Sequence, residues 1–321
     1  MTQPANGSLD AHWRRSRREL EVDIFEAGLA AGLGDARDLP LDTHLHTVRS
    51  PDTAPDALLD AYCAVALERG IAELAITDHI DFDPQAPAYR YATFEDRERD
   101  VREAADRWAP HGLAVRFGVE VTYERAYEDD IRDWLRAHPH DFVIGSVHSG
   151  PTSLYEPERV EAFLAGKSLR EATAPYFDEV AASARSGLFD SIGHMDVVKR
   201  WVVPWVMPAA FAAQPELYDG VLTAMVESGT ALEVNASGLR QLPQETYPSA
   251  ATVERYLAMG GRAVTIGSDA HRLEWFAYGL AEAYRLAKGA GVEALAFRRG
   301  GVRVWVPVEP GRSPTNVVKG P

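Results

Sequence analysis

The chain has 321 residues, 46% of them hydrophobic, and a formal net charge of −15. That length suits one large α/β barrel, and the acidic balance argues against extended nucleic acid, whose phosphates select basic surfaces. One cysteine, Cys63, leaves no internal disulfide or thiolate metal cluster and fits a reducing cytoplasm; the polar N-terminus and the lack of a long apolar run predict neither signal peptide nor membrane span.

Residues 1–40 are expected to be a polar start followed by a helix between Trp13 and Leu33, an extension packed on the domain. From residue 41 short Val/Ile/Leu-rich runs alternate with helix-like stretches. Strands are predicted at about Leu41–Thr47, Ile71–His79, Leu113–Val121, Asp141–His148, Phe189–Asp196, Ala231–Ser237 and Ala263–His271. Helices are predicted at Ala54–Arg69, Phe94–Trp108, Glu158–Ser186 and Pro248–Met259. Such alternation implies parallel strands joined by crossovers. Seven units suggest a barrel, with an open doubly wound sheet as the alternative. A helix at Phe276–Ala290, a short strand at Gly300–Val308 and a fraying tail from Glu309 complete the reading. The expected organisation is thus an extension over 1–40, a barrel over 41–308 and a flexible tail over 309–321.

Six of the ten histidines fall at predicted strand C-terminal ends: His44, His46, His79, His148, His194 and His271. Active sites of barrel enzymes gather on that face. Residues i and i+2 of a strand point to one side, so His44 and His46 can reach one metal ion together, as can Asp269 and His271. Glu120 closes the third strand, where a buried carboxylate requires a partner and its two oxygens can bridge two cations. Asp78 and Asp196, next to the ends of the second and fifth strands, are candidates to orient imidazoles. Each signal alone is weak. Eight ligand-type residues on six strand ends together predict a metal centre, and mixed carboxylate and imidazole donors favour Zn, Mn or Fe.

At these residues the chain resembles the polymerase and histidinol phosphatase (PHP) superfamily, through HLHT, ITDH, GVE, SVH, GHMD and SDAH in that order over residues 41–271. The resemblance implies a distorted seven-stranded β/α barrel, TIM-barrel-like, with two or three divalent metal ions. One would take His44, His46, Glu120 and Asp269. A second would share Glu120 and add His148 and His194. A third would take His79 and His271, with Asp52 at the position where many members carry another histidine. Glu120, His194 and Asp269 are the residues expected to be catalytic. The segments from Gly193 to Arg200 and Glu233 to Arg240, then Tyr247-Pro248-Ser249, resemble the histidinol-phosphate phosphatase branch. The forty residues before the first H-x-H and the loop at 149–155 depart from that branch.

The function these readings imply is hydrolysis of a small phosphate monoester, L-histidinol phosphate first, by metal-activated water. Side-chain cations are also required for the phosphate. Arg240 is the first candidate, then Lys199, Arg200 and Arg272. Cys63 lies on a predicted helix away from the strand ends, and no GxxxxGK[ST] phosphate loop occurs. A PHP-type phosphodiesterase or nuclease acting on nucleotides or short oligonucleotides, and a non-catalytic metal-binding protein, are the alternatives. An amidohydrolase would order its ligands differently. Neither a membrane nor extended nucleic acid is an expected partner, and the oligomeric state is not legible.

Overall fold

The computed structural model describes residues 17–148, 157–203 and 205–309. The polar start, the loop at 149–155 and the tail beyond Glu309 lie outside them. The strands are β1 (Asp42–Leu45), β2 (Glu73–Ile76), β3 (His79–Ile80), β4 (Ala114–Thr122), β5 (Phe142–Ser146), β6 (Ser191–Ile192), β7 (Ala231–Asn235), β8 (Val264–Gly267), β9 (Ala294–Arg299) and β10 (Val302–Pro307). The helices are α1 (Arg17–Ala30), α2 (Leu59–Arg69), α3 (Phe94–Trp108), α4 (Glu128–Ala137), α5 (Pro157–Leu164), α6 (Leu169–Arg185), α7 (Val198–Val202), α8 (Pro208–Ala212), α9 (Asp219–Ser228), α10 (Ala250–Ala258) and α11 (Leu280–Gly289).

Strands β1-β2-β4-β5-β6-β7-β8 run parallel in that order, with β3 continuing beside β4. The ends meet: Leu45 bridges Ala270, His46 N–H donates to the Ala270 carbonyl at 3.0 Å, and Asp269 N–H donates to the His44 carbonyl at 2.8 Å. The result is a nearly closed seven-stranded barrel, as expected, rather than an open sheet. Its strands are buried along almost their whole length, which is why they appear as continuous apolar runs instead of alternating patterns. Tyr62, Phe117, Phe142, Tyr247, Tyr256 and Phe276 are among the largest fully buried side chains.

Local chemistry sets the element ends. Thr93 caps α3 by accepting from Asp96 N–H at 3.1 Å. Ser168 and Glu171 form a reciprocal capping box that starts α6. That cap divides the single helix predicted over Glu158–Ser186 into α5 and α6. Gly279, in the left-handed region at φ 69°, delays the helix predicted from Phe276 until Leu280. The fifth strand is only two residues long, because the chain turns at Gly193-His194 just where the site begins.

Elements α4, α7, α8, α9 and β9 were not among the predicted ones. Strand β9 matters most. It pairs antiparallel with β10 across Gly300-Gly301, both at positive φ, as a two-residue hairpin turn requires. Arg298 of this hairpin donates to the His140 and Asp141 carbonyls just before β5, and Arg299 pairs with Glu73 at the start of β2. The hairpin therefore belongs to the N-terminal ends of the barrel strands, away from the site. Among the described residues no helix is long and apolar enough to cross a membrane.

Candidate metal centre

The barrel brings all six strand-end histidines, Glu120, Asp269 and Asp52 to one place. Glu120, near the C-terminal end of β4, stands at its middle and is fully buried. Its Oε2 lies 3.3 Å from His44 Nε2, 3.4 Å from His46 Nε2 and 2.8 Å from His79 Nδ1. Its Oε1 lies 3.0 Å from His194 Nε2 and 3.3 Å from His148 Nε2. Asp269 Oδ1 lies 3.2 Å from His46 Nε2 and 3.7 Å from His44 Nε2. At the mouth, Asp52 Oδ2 lies 3.5 Å from His79 Nε2 and 3.2 Å from His271 Nε2, and those two nitrogens are 3.4 Å apart.

These separations have a simple meaning. Tetrahedral ligands at the usual zinc–nitrogen distance stand about 3.3–3.4 Å from one another. The buried Nε2 atoms of His44 and His46 have no hydrogen bond among the described residues, an expensive state unless an ion takes their lone pairs. Four groups of three donors have their ligand atoms within 4.8 Å of one another: His46, His79 and His271; His44, His194 and Asp269; His44, His46 and Glu120; His79, Glu120 and His148. The donor set is therefore suited to divalent metal ions.

Electrostatics agree. Burial opposes protonation of His44 and His79. The carboxylates of Glu233, Glu120 and Asp269 around His44, and of Glu120 and Asp52 around His79, nonetheless draw both pKa values well above the ordinary range. Burial likewise opposes ionisation of Glu120 and Asp269, and the surrounding imidazoles hold both well below it. Buried carboxylates that gather positive charge in this way provide what a cation needs. His46, depressed by burial and by the His271 and His79 charges, keeps the neutral form that ligates.

A second layer fixes the rings. Glu233 Oε1 lies 2.7 Å from His44 Nδ1, so that nitrogen carries the proton and Nε2 faces the centre. Glu233 Oε2 accepts the His194 backbone N–H at 2.7 Å and Asn235 Nδ2 at 3.0 Å. The His271 Nδ1 donates to the Asp269 carbonyl at 3.1 Å, and Thr122 Oγ1 sits 2.8 Å from His148 Nδ1. Asp78 acts one step back: it accepts from Thr47 N–H, Thr47 Oγ1 and Ser50 Oγ, and Ser50 Oγ lies 3.4 Å from His46 Nδ1. Asp196, expected to orient an imidazole, instead binds Lys199 Nζ at 2.6 Å and the Tyr218 hydroxyl at 3.2 Å. Glu233 was missed as a site residue. Its signal was a carboxylate inside a strand whose neighbours are all buried.

His194 and Asp269 adopt positive φ, 22° and 54°, a conformation that persists only when its surroundings enforce it. Around Asp269 that enforcement comes from Arg240. Its Nη1 donates to the Ser268 carbonyl at 2.9 Å and its Nη2 to the Asp269 carbonyl at 2.6 Å, while its guanidinium lies over the Trp275 ring. The expected phosphate ligand is thus turned onto the loop that carries Asp269 and does not line the cavity.

That cavity, about 580 Å³, opens on the cluster and is lined by Asp52, His79, His148, His194, Asp269 and His271. Of the four cations expected to meet the substrate, only Arg200 is in its wall. Lys199 is buried between Asp196 and Glu245, 2.6 Å from each, and Arg272 lies over Trp275 and pairs with Glu274. Asp81, Asp83 and Glu124, from the loops after β3 and β4, add an acidic side that the sequence reading did not single out.

The chain is similar in sequence and fold to known proteins. The chain is 29% identical over 260 residues to a probable histidinol-phosphatase of Deinococcus radiodurans, covering 80% of this chain and 96% of that protein. It is 26% identical over 269 residues to a histidinol-phosphatase of Lactococcus lactis, covering 80% and 93%. The fold superposes with a TM-score of 0.68 and 22% identity on the crystal structure of histidinol phosphate phosphatase from Lactococcus lactis in complex with Zn, L-histidinol and phosphate, over 83% of this chain and 98% of that one. The PHP domain model matches residues 42–237, from the first strand-end histidines to the turn after β7, and by that match across most of the barrel the chain belongs to the PHP domain family.

Proposed function

We propose that this protein is a metal-dependent phosphatase that hydrolyses L-histidinol phosphate to L-histidinol and phosphate, a step of histidine biosynthesis in the cytoplasm. The observation that carries the reading is the convergence of nine ligand-type side chains, with donor atoms 2.8–3.7 Å apart, at one cavity of small-molecule size that six of them line. The relatives covering most of this chain bear that activity in their names.

The ligand sets assigned are His44, His46, Glu120 and Asp269 for one ion, Glu120, His148 and His194 for a second, and Asp52, His79 and His271 for a third. His79 presents Nε2 to Asp52 and His271, the face that would hold the third ion, while its Nδ1 faces Glu120. Zn, Mn or Fe, held there, supplies Lewis-acid neutralisation of phosphoryl oxygens and lowers the pKa of water to about 7.

The chain's own residues do the rest. Glu120 keeps the two inner groups of imidazoles in register through its two oxygens. Arg200 provides the fixed cation in the wall, and its planar fork suits two phosphate oxygens. His194 and Asp269 line the cavity in strained backbone, which would hold their side chains fixed beside a bound phosphate ester. Asp81, Asp83 and Glu124 give a negative environment that suits the ammonium of an amino-alcohol leaving group.

Parallel assays with L-histidinol phosphate, an aryl phosphate and a short single-stranded oligonucleotide test the reading. Turnover is expected to be fastest on histidinol phosphate. Efficient cleavage of the oligonucleotide alone would overturn it in favour of a phosphodiesterase.

A further inference from the structure

Arg200 does not hold its place alone. It sits on α7, a five-residue helix beside the cavity, and its Nε and Nη2 donate to Glu21 Oε1 at 3.2 Å and Oε2 at 3.0 Å. Glu21 belongs to α1, which precedes the residues matched by the family model. The same helix grips the backbone at this point. Arg17 donates through Nη1 to the Arg200 carbonyl and through Nη2 to the Trp201 carbonyl at 3.2 Å, and its guanidinium lies over the Trp201 ring. Leu20 packs with Val203 and Leu242 in a small apolar cluster of its own. On the other side of α1, the Phe25 ring packs tilted against Tyr278, centroids 4.9 Å apart.

A guanidinium has five N–H donors in a rigid plane. Glu21 occupies the edge formed by Nε and Nη2, which fixes the plane and leaves Nη1 and the second hydrogen of Nη2 unclaimed by that carboxylate, on a residue that lines the cavity. Without that carboxylate the long side chain has many rotamers to choose from, and the charge of Arg17 stands unopposed beside it.

We infer that Glu21 is a positioning residue for the phosphate-binding arginine, and that helix α1 is a working part of the active-site wall and not only a packed extension. The inference rests on the phosphate-ester reading above. Glu21 touches no substrate; its effect passes through Arg200.

The test is a double-mutant cycle on the full chain, with Glu21→Ala, Arg200→Ala and both together. KM and kcat for L-histidinol phosphate, and competitive inhibition by inorganic phosphate, are measured with metal content and melting temperature alongside. Glu21→Ala is expected to raise KM and the phosphate inhibition constant about tenfold, the loss of one charge-assisted contact, with a smaller change in kcat and unchanged metal content. In the Arg200→Ala background, removing Glu21 is expected to change neither constant. Glu21→Gln keeps the shape of the contact and is expected to fall between, about threefold; it also serves if the alanine variant does not fold. Wild-type constants in both Glu21 variants, or the same loss with Arg200 already absent, would overturn the inference while leaving the phosphatase reading intact. Wild-type protein that neither hydrolyses the ester nor responds to phosphate would sink both.

Discussion

Glu233→Gln isolates the second layer of the metal centre with almost no change in volume. Glu233 is fully buried and accepts on both oxygens: His44 Nδ1–H at 2.7 Å on Oε1, and the His194 N–H at 2.7 Å and Asn235 Nδ2 at 3.0 Å on Oε2. An amide has one accepting end. If its NH₂ faces His44, the imidazole must carry its proton on Nε2, the atom that faces Glu120 and Asp269, and can no longer ligate. If its NH₂ faces His194 and Asn235, donors meet donors. One buried unsatisfied group costs about 1–3 kcal/mol, and changes at such outer partners typically weaken metal binding about 10–100-fold. The two figures agree, since about 1.4 kcal/mol is one tenfold step. Chelator competition followed by metal quantification measures the affinity directly. If the Glu233→Gln variant holds metal with wild-type affinity, the tautomer argument is refuted and, with it, the assignment of His44 Nε2 as ligand.

Other outcomes follow from the same geometry. Asp52→Ala removes one of three donors at the mouth of the site, and metal counting is expected to give one ion fewer per chain after dialysis against dilute metal. Gly267→Ala places a Cβ 2.3 Å from His44 Cβ and 2.7 Å from Glu233 Oε1; both must shift, so a lower melting temperature and weaker metal binding are expected together. Far from the metals, burial aided by the Arg97 charge holds the His140 imidazole down at about 3. The unfolded chain protonates there near 6.5, so between those values the unfolded state binds the extra proton: His140's contribution is complete above 6.5 and shrinks as the pH falls, by about 2 kcal/mol at pH 5. Urea unfolding at pH 7 and 5 is expected to show a smaller pH difference for His140→Phe than for wild type.

The site was more legible than the fold's periphery, for physical reasons. Ligand chemistry restricts residue type, so His44, His46 and Asp269 stand out in short apolar strands. Parallel strands buried on both faces also mark themselves as apolar runs, so seven of them could be placed. Strand β9 was lost because its role, covering the strand N-terminal ends beside β10, depends on pairing that a linear reading does not reveal. Helix α9, rich in apolar residues, carries little polar face to betray its period. Charge alone gave poor guidance about substrate contacts. Arg240, Lys199 and Arg272 are as cationic as Arg200, but the first is turned onto backbone carbonyls, the second is locked between Asp196 and Glu245, and the third lies over Trp275. Only the fold distinguishes a cation that faces the cavity from one that holds the cavity together. Conversely, Glu21 is twenty-three residues from His44 in a segment without any motif, and only the packing of α1 brings it to Arg200.

The clustered histidines and carboxylates are proposed to bind divalent ions which the phosphatase reaction requires. The most direct test is phosphate release from L-histidinol phosphate by chelator-stripped protein during titration with Zn or Mn. No turnover is expected in the stripped protein, followed by a rise that saturates at two to three ions per chain. Full turnover by protein verified as metal-free would contradict the proposal.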